Sequence, residues 1–510
     1  MQKAAYLVFN QITKAYESVL ANDNISFEVQ KGSIHALVGE NGAGKSTLMK
    51  ILFGLETADL GFISLNDKKI DTLKLERKTS ERKKIGMVHQ HFMLAGPLEA
   101  WQHIAVEIDS NPFKPIGKRK ILADLNKLSE KYHLPLDWEE KIENLPVGFQ
   151  QRLEILKLLY LDAEILIFDE PTAVLTLIEV EKFLQQLLHL KRSGKTIILI
   201  THKLKEVKAI ADFVTVLRAG KVIESFANQE KSIEDLACLM MGEKTETFLN
   251  RKKAESFTQK ERTVLEIKNF RFRNMRTPLS LKISAGEIVG FAGVEGNGQN
   301  QLIEALMHLP GEQKNKPEGE FRLNGTAIKQ ATTESLRKMG LHAFPEDRWD
   351  HGMIADDSLS ENFIISHLEN KRFQSKGILN FSEIGKVLKE KIREFAIKVD
   401  QINPKMSSLS GGNQQKLVAA RELFDNPKVL IAVHPTRGVD FRSTQVIHEK
   451  IQDSCRQGMG CLLFSSDLDE ILKMSDRVFV MLNHKIVAEF HPEFDERAIA
   501  KSMSIEGIQH

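Results

Sequence analysis

The sequence predicts an α/β protein of two tandem domains with similar architecture, each with an inserted helical subdomain. Two glycine-rich loops, GENGAGKST and GVEGNGQNQ, lie in the two halves of the 510-residue chain. Two longer segments also match, LPVGFQQRLEILKLLYLDAEILIFDEPT from Leu145 and LSGGNQQKLVAARELFDNPKVLIAVHPT from Leu409. Solenoid repeats recur about every 20 to 50 residues. The matching segments at Leu145 and Leu409 are much further apart than this, which indicates duplicated domains.

Short apolar runs bounded by polar residues predict buried parallel strands in both halves. They are IHALVG, EILIFDE and TIILIT in the first half, and EIVGFAG, VLIAV and CLLFSS in the second. Helical stretches such as VEKFLQQLLHLKR alternate with them, as expected for an α/β sheet. More charged helical segments between Gly86 and Leu145, and between about Met353 and Leu409, predict the inserted helical subdomains.

The segment GEKTETFLNRKKAESFTQKER joins the two halves. It is polar and charged and has no apolar face, which favours a linker over a core element. We therefore expect an N-terminal domain at residues 1–243, a charged linker at 244–262 and a C-terminal domain at 263–510.

The composition of the chain limits the binding partners and the cellular compartment that we expect. A formal net charge of +2 provides no basic field for nucleic acid, so we expect no nucleic-acid partner. Three cysteines without Cys-x-x-Cys spacing are typical of reduced thiols in a cytosolic protein. The N-terminal segment lacks the apolar core of a signal peptide, and no run approaches the roughly 18 apolar residues that span a bilayer. Any membrane role is therefore expected to be peripheral.

The first glycine loop matches the pattern Gly-x-x-x-x-Gly-Lys-Ser. In this pattern, backbone N–H groups and a helix N-terminus cradle phosphates, Lys45 reaches the β- and γ-phosphates, and Ser46 binds magnesium. The loop therefore predicts binding of ATP and Mg²⁺. Its predicted nucleotide-binding residues are Gly39, Asn41, Gly42, Gly44, Lys45, Ser46 and Thr47.

Carboxylates end the next predicted strand. Asp169 is expected to hold magnesium through water, and Glu170 to act as the general base that polarises the attacking water. A general base contributes about 10²- to 10⁴-fold in rate, so Glu170 would be essential without being the whole of catalysis. Glu170 alone could be a structural carboxylate at a strand end, but its position after EILIFD in a chain with a true Gly-Lys-Ser loop favours catalysis.

Three further residues complete the expected site in the first half. His202 follows the strand TIILI and is predicted to hydrogen-bond the γ-phosphate, while Gln90 is predicted to sense that phosphate through metal or water. Tyr16 precedes the first loop and is predicted to stack on adenine, with ordinary packing as the alternative.

The second glycine loop has lost the residues that carry this chemistry. Gln299 and Asn300 stand where the first loop has Lys45 and Ser46. At the ends of the later strands, the positions of Asp169, Glu170 and His202 are taken by Val433, His434 and Ser466. A neutral Gln in place of Lys removes a charge-assisted phosphate contact.

The glycine loop, the LSGGNQQK segment and the strand that ends in histidine together resemble the ATP-binding cassette (ABC) proteins, and the resemblance covers nearly the whole chain. It implies two tandem P-loop ATP-binding cassette domains that face each other head to tail, so that the loop of one closes ATP against the signature segment of the other. The signature residues implied for the intact site are Ser410, Gly411, Gly412 and Asn413.

The resemblance also implies that the residues that depart from the family's pattern all belong to one of the two ATP sites. In the N-terminal signature, LPVGF, the phosphate-contacting Ser is replaced by Pro146, which has neither a hydroxyl nor an N–H. A favourable helix start is a compatible explanation for this proline. The implied degenerate site comprises Gln299, Asn300, Pro146, Val433, His434 and Ser466. We therefore expect ATP hydrolysis only at the intact site.

Within the family, tandem cassettes of this kind look like the ATPase subunit of bacterial importers for nucleosides and simple sugars. Segments such as MVHQHFML and FPEDR are most similar to the nucleoside-import branch. The resemblance implies two integral-membrane permease subunits, an extracytoplasmic solute-binding protein as an indirect partner, and a peripheral location on the cytoplasmic face of the cell membrane. The alternatives are a monosaccharide importer of the ribose or galactose type, a soluble tandem cassette acting in translation, and a non-hydrolytic scaffold.

Overall fold

The computed structural model describes residues 5–16, 19–40, 42–73, 84–89, 93–108, 117–172, 175, 177–242, 262–271, 277–293, 296–307, 318–328, 331–345, 351–375, 377–399, 401 and 403–503. The chain divides into two compact units, Met1–Arg251 and Lys252–His510. Apart from Arg262, the predicted linker at 244–262 lies outside the described residues.

The strands of the first unit are β1 (Ala5–Tyr16), β2 (Val19–Gln30), β3 (Ile34–Val38), β4 (Leu60–Leu65), β5 (Lys68–Ile70), β6 (Ile85–Val88), β7 (Ile165–Asp169), β8 (Thr196–Ile200), β9 (Phe213–Arg218) and β10 (Lys221–Ala227). Its helices are α1 (Lys45–Phe53), α2 (Ala100–Ile108), α3 (Lys118–Tyr132), α4 (Val147–Tyr160), α5 (Leu177–Arg192), α6 (Leu204–Ile210) and α7 (Ile233–Met241).

The strands of the second unit are β11 (Thr263–Arg271), β12 (Leu279–Ser284), β13 (Ile288–Ala292), β14 (Glu318–Leu323), β15 (Thr326–Ile328), β16 (Leu341–Phe344), β17 (Gln374–Ser375), β18 (Ile378–Leu379), β19 (Val429–Val433), β20 (Gly460–Ser465), β21 (Arg477–Leu482) and β22 (Lys485–Phe490). Its helices are α8 (Gln299–Met307), α9 (Thr333–Lys338), α10 (Leu359–Ile364), α11 (Phe381–Glu394), α12 (Gly411–Glu422), α13 (Phe441–Arg456), α14 (Leu468–Met474) and α15 (Glu496–Ser502).

Each unit contains a six-stranded sheet with the same strand order. The order is β6-β7-β8-β3-β9-β10 in the first unit and β16-β19-β20-β13-β21-β22 in the second. The first five strands of each sheet are parallel, and the last strand pairs antiparallel at the edge. Strands β3, β7 and β8 are buried along their whole length, which explains their mainly apolar sequences. All six strands predicted from apolar runs are confirmed.

A second, antiparallel sheet of four strands accompanies the parallel sheet in each unit. Its order is β2-β1-β4-β5 in the first unit and β12-β11-β14-β15 in the second. These sheets were not predicted from the sequence. Alternation between buried and exposed residues along β2 and β12 was the available signal, since one face of an antiparallel sheet can meet water.

The inserted subdomains contain α2, α3 and α4 in the first unit, and α10, α11 and α12 in the second. In the first unit, α2 packs on α3 and α3 packs on α4. The second insertion also holds the short hairpin β17–β18, where the sequence predicts only helices. Gly377 at this hairpin has a φ of 82°, a left-handed conformation that favours glycine.

The parallel sheet of the first unit brings together the segments that carry the predicted site residues. Strands β3, β8 and β7 are neighbours and run in the same direction. Because the carboxyl ends of parallel strands meet at one edge of the sheet, the segments that follow these three strands lie together. Those segments begin at Gly39, Thr201 and Glu170.

Candidate functional site

The glycine loop of the first unit runs from β3 into α1. Gly42 and Gly44 have φ angles of 82° and 93°, in the left-handed region where a side chain is strained. A Cβ atom on Gly44 would also overlap the carbonyl oxygen of Ala21. Asn41 lies outside the described residues. The loop therefore leads into the unpaired N–H groups at the start of α1, an arrangement suited to phosphate.

Asn22 supports this loop from β2, and the sequence analysis missed it. Its side chain is fully buried, and its Nδ2 donates a hydrogen bond to the carbonyl oxygen of Gly44 at 3.1 Å. The bond fixes the last residue of the loop before α1. A buried asparagine in a half-buried strand was the only signal in the sequence, and it did not specify a partner.

Lys45 folds back over the loop that precedes it. Its Nζ donates hydrogen bonds to the carbonyl oxygens of Gly39 at 2.7 Å and Glu40 at 2.9 Å, and the residue is 6% exposed. Burial lowers the pKa of Lys45, while the negative charges of Glu170, Asp169 and Glu40 oppose that shift. The ammonium group therefore lies between the loop carbonyls and the carboxylates at the end of β7.

Ser46 and Asp169 place two side-chain oxygens next to each other. Asp169 is buried, and the Ser46 hydroxyl hydrogen-bonds to its carboxylate. Burial raises the pKa of Asp169, with a further contribution from the charge of Glu170, while the Ser46 bond and Lys45 act in the opposite direction. Within the described residues, no group of three or more His, Cys, Asp or Glu side chains could hold a metal. Two hard oxygen donors fit Mg²⁺, which is usually held by few protein ligands together with substrate phosphates.

Glu170 and His202 are in direct contact. His202 Nδ1 lies 3.1 Å from Glu170 Oε1. The Glu170 side chain is 14% exposed, whereas that of His202 is 45% exposed. Burial would raise the pKa of Glu170, but the hydrogen bond and charge of His202 and the charges of Lys45 and Lys203 outweigh it, so the pKa is lowered. Glu170 is therefore ionised at neutral pH, as a general base must be.

The backbone at Glu170 turns sharply where β7 ends. Glu170 has a φ of 47°, which is unusual for a residue with a side chain. Its N–H donates to the carbonyl oxygen of Ile200 at 2.9 Å, which fastens the turn to the end of β8. This turn lets the carboxylate reach the histidine that follows β8.

Tyr16 lies at the end of β1, beside the glycine loop. The residue is 40% exposed, its hydroxyl donates to Glu56 Oε2 at 3.0 Å, and it also hydrogen-bonds to the Thr47 side chain. Lys14 Nζ lies 5.2 Å from the ring centroid. The ring is thus next to the loop, as stacking on a nucleotide base would require, and that role stays a prediction. Gln90 lies outside the described residues.

The second unit keeps the backbone of this site and changes its side chains. Gly296 and Gly298 have φ angles of 92° and 109°, and α8 begins directly after them. The Gln299 side chain folds back against Gly293, as Lys45 does against Gly39. His434 has a φ of 44°, and its N–H donates to the carbonyl oxygen of Phe464 at 2.8 Å. The turn of Glu170 is therefore repeated at His434 without a carboxylate.

A small pocket lies at the corresponding position of the second unit. Its volume is about 10 Å³, which is room for about one water molecule. The Ser466 N–H donates to His434 Nδ1 at 3.3 Å beside it. The pocket is lined by Phe291, Gly293, Gln299, Asn300, Ile303, Val433, His434, Phe464 and Ser465. Neither a lysine nor a carboxylate is among these lining residues, whereas the first unit has Lys45, Asp169 and Glu170 in the corresponding region.

The signature segment of the second unit begins α12. Ser410 immediately precedes the helix, and Asn413 Nδ2 donates to Ser410 Oγ at 3.0 Å. Asn413 Oδ1 accepts a hydrogen bond from the Lys398 N–H at 3.0 Å. Both polar atoms of the Asn413 side-chain amide are therefore hydrogen-bonded. In the first unit Pro146 precedes α4 with a φ of −54° and offers no hydroxyl.

Gly412 is packed tightly beneath the start of α13, and Gly148 is its counterpart in the first unit. A Cβ atom on Gly412 would overlap Asp440 Oδ2 and Ser443 Oγ. Asp440 caps α13 by accepting from the Ser443 N–H at 2.8 Å. Among the described residues, a Cβ atom on Gly148 would meet only the Glu179 side chain, with Oε1 at 3.4 Å. Asp440 and Ser443 therefore leave no room for a side chain at Gly412.

Gly412→Ala should lower the free energy of unfolding of the second unit by about 1–3 kcal/mol, because the new methyl group overpacks the cap of α13. ATPase activity should fall with it. Gly148→Ala is the matched control, and a helix gains up to about 1 kcal/mol from this change. Urea unfolding and ATPase assays of both variants provide the measurement. Equal effects of the two substitutions would contradict the packing argument.

Two glutamines that the sequence analysis did not single out link the signature helices to the sheet. Gln151 Nε2 donates to the carbonyl oxygen of Pro171 at 2.9 Å, and Gln415 Nε2 donates to that of Pro435 at 3.0 Å. Both bonds join a helix to the turn after the strand that ends in Asp169 or Val433. The Gln-Gln pair repeated at the same place in both halves was the available signal.

The comparisons with known proteins agree with these features. The family model described as "ABC transporter" matches residues 22–173 and 277–437. The guanosine import ATP-binding protein NupO of Bacillus subtilis is 39% identical over 94% of this chain and 94% of its own. The nucleoside import ATP-binding protein NupA of Lactococcus lactis subsp. cremoris is 38% identical, with 94% of each chain covered. The ribose import ATP-binding protein RbsA of Caldanaerobacter subterraneus is 34% identical over 96% of this chain and 98% of its own. In the part of the chain that the structure describes, no helix has the length and apolar character needed to cross a membrane.

Proposed function

Since this chain belongs to the ABC transporter family, we propose that it is the ATP-hydrolysing subunit that energises a membrane importer of nucleosides or simple sugars. One observation carries the proposal: the first unit brings Lys45, Ser46, Asp169, Glu170 and His202 together at one edge of its parallel sheet. These are the groups that phosphoryl transfer to water needs, namely a phosphate-binding cation, metal ligands and a base.

We assign each of these residues its own role in ATP hydrolysis. The N–H groups at the start of α1 and the Lys45 ammonium bind the β- and γ-phosphates of ATP. Ser46 and Asp169 would hold Mg²⁺, which neutralises charge on the phosphate oxygens when bound. Glu170 accepts the proton of the attacking water. His202, in contact with Glu170, orients that carboxylate and presents its more exposed ring towards the γ-phosphate.

Hydrolysis at this site also requires the signature residues of the second unit, Ser410, Gly411, Gly412 and Asn413. The distribution of losses supports this part of the proposal. The intact signature lies in the unit with the degenerate loop, and Pro146 lies in the unit with the intact loop. Random decay of one half would have damaged its loop and its signature together. The degenerate site of Gln299, Asn300, Val433, His434, Ser466 and Pro146 does not hydrolyse ATP.

The chain acts with two integral-membrane permease subunits and, through them, an extracytoplasmic solute-binding protein, on the cytoplasmic face of the cell membrane. Nucleosides are the favoured cargo, because the two nucleoside-import relatives are 39% and 38% identical, against 34% for the ribose-import relative. A monosaccharide importer is the second candidate, supported by that ribose-import relative.

Uptake of labelled guanosine should fall to background in cells from which this chain is deleted, while uptake of labelled ribose stays unchanged. The intact chain should restore guanosine uptake, and a Glu170→Gln chain should not. Loss of ribose uptake in place of guanosine uptake would favour the monosaccharide importer. If neither uptake changes, guanosine and ribose are both wrong as cargo, and co-sedimentation with ribosomes would test the translation alternative.

A further inference from the structure

The segments that follow β7 and β8 are connected by further contacts besides the one between Glu170 and His202. Lys203, the residue after His202, donates a hydrogen bond from Nζ to the carbonyl oxygen of Thr172 at 3.0 Å. Thr172 Oγ1 in turn donates to Glu206 Oε2 at 3.0 Å, and Lys203 Nζ lies 3.8 Å from Glu206 Oε1. We call these three residues the Lys203 cluster. It connects the residue next to His202 with the residue two positions after Glu170.

Two of the three side chains are removed from water. Thr172 is 2% exposed, the Glu206 side chain is 7% exposed, and that of Lys203 is 32% exposed. A buried carboxylate needs hydrogen bonds and a nearby cation to offset its lost hydration. Thr172 and Lys203 supply them here. The Lys203 ammonium is therefore held in place by two oxygen partners.

The cluster lies on one side of the contact between Glu170 and His202, and a backbone bond lies on the other. The Glu170 N–H donates to the carbonyl oxygen of Ile200, at the end of β8. Lys203 donates to Thr172 just past the two catalytic residues. The segments of Glu170 and His202 are therefore joined both before and after these two residues. The 3.1 Å distance between Glu170 Oε1 and His202 Nδ1 depends on this relative placement of the segments.

The second unit serves as an internal comparison, because it keeps part of this cluster and lacks the rest. Thr436 Oγ1 donates to Glu470 Oε1 at 2.7 Å, which repeats the bond between Thr172 and Glu206. Glu470 is also bonded by Ser465 Oγ at 2.6 Å and by His448 Nε2, from α13, at 2.8 Å. The bond between threonine and glutamate therefore belongs to the architecture of both units.

The lysine does not belong to that shared architecture. Asp467 stands at its position in the second unit and caps α14 by accepting from the Asp469 N–H at 3.0 Å. The lysine is present in the unit that has Glu170 and His202, and it is replaced by a group of opposite charge in the unit that has His434 and Ser466. In the second unit the buried glutamate is bonded by His448 and Ser465, so the lysine accompanies Glu170 and His202 only in the first unit.

We propose that Lys203 is a positioning residue for ATP hydrolysis, which fastens the segment of His202 to the segment of Glu170 through Thr172 and Glu206. This inference rests on the proposed function of the first unit. Lys203 acts through its neighbours, so its loss affects the hydrolytic step and not the capture of ATP. A small misplacement of catalytic groups can reduce a rate by as much as about 100-fold.

Lys203→Met tests the inference, because methionine keeps the length of the side chain and removes its charge. In the purified full-length chain we expect kcat for ATP to fall about 10- to 100-fold, with KM and the Kd for a fluorescent ATP analogue within about twofold of the original. Lys203→Arg, which retains a cationic donor, should recover most of kcat. Asp467→Asn, which keeps a capping oxygen, is the matched control in the second unit and should leave kcat unchanged.

The possible outcomes separate this inference from the function on which it rests. If Lys203→Met keeps full kcat while Glu170→Gln is inactive, the inference is overturned and the proposed function stands. A rise in KM at constant kcat would also overturn it, as would equal losses in Lys203→Met and Lys203→Arg. Full activity in Glu170→Gln would overturn both. Thermal unfolding of each variant identifies a loss of fold, and in that case the kcat of Lys203→Arg decides the question.

Discussion

Glu170→Gln should lower the ATPase turnover number by about 10²- to 10⁴-fold, the usual contribution of a general base. The amide has the shape of the carboxylate but cannot accept a proton from water. Its oxygen can still accept a hydrogen bond from His202, so the arrangement at the ends of β7 and β8 should survive. Single-turnover hydrolysis and equilibrium binding of ATP provide the measurement, and binding should be retained.

The matched control for this substitution is His434→Gln in the second unit. His434 occupies the same left-handed turn, with a φ of 44° against 47° for Glu170, so the control tests the same backbone position without a carboxylate. Turnover in the control should equal that of the unchanged protein. Comparable losses in the two variants would show that the effect arises from the turn and not from base catalysis.

Lys45→Ala should weaken ATP binding by about 10- to 100-fold, since hydrogen bonds to charged groups are worth about 1.5–3 kcal/mol each. Turnover should fall as well. The substitution removes the cation that lies close to Asp169 and Glu170, and it leaves the Gly39 and Glu40 carbonyl oxygens without this donor. Titration with a fluorescent ATP analogue and steady-state ATPase assays measure the two effects.

Gln299→Ala is the corresponding truncation in the second unit and should leave both quantities unchanged. Gln299→Lys gives a further check. It should not double the rate, because Asn300, Val433 and His434 remain in place of the other catalytic groups. A doubled rate would refute the proposal that the second site lacks several elements at once.

The parallel sheets could be predicted because their strands are buried on both faces. IHALVG and TIILIT are mainly apolar for this reason, and no alternating pattern was needed to detect them. The antiparallel sheets escaped prediction. Strand β1 pairs with both β2 and β4 through several register shifts, and such irregular pairing disturbs a simple alternation.

The site could be predicted only as a set of residues. Loop spacing and strand ends identified Lys45, Asp169, Glu170 and His202. The contact between Glu170 and His202, and the bond from Lys203 to Thr172, depend on how two segments about thirty residues apart meet after folding. Likewise the close approach of Asp440 and Ser443 to Gly412 depends on neighbours that folding brings in.

The left-handed turn shared by Glu170 and His434 has a consequence for how function can be gained or restored. Such a conformation costs about 1–3 kcal/mol in a residue with a side chain, yet the second unit maintains it without the carboxylate that it serves in the first. Its glycines also keep their positive φ angles at Gly296 and Gly298. At these described positions the second unit has lost the catalytic side chains and kept the backbone conformation, so an attempt to restore activity would begin with side-chain substitutions.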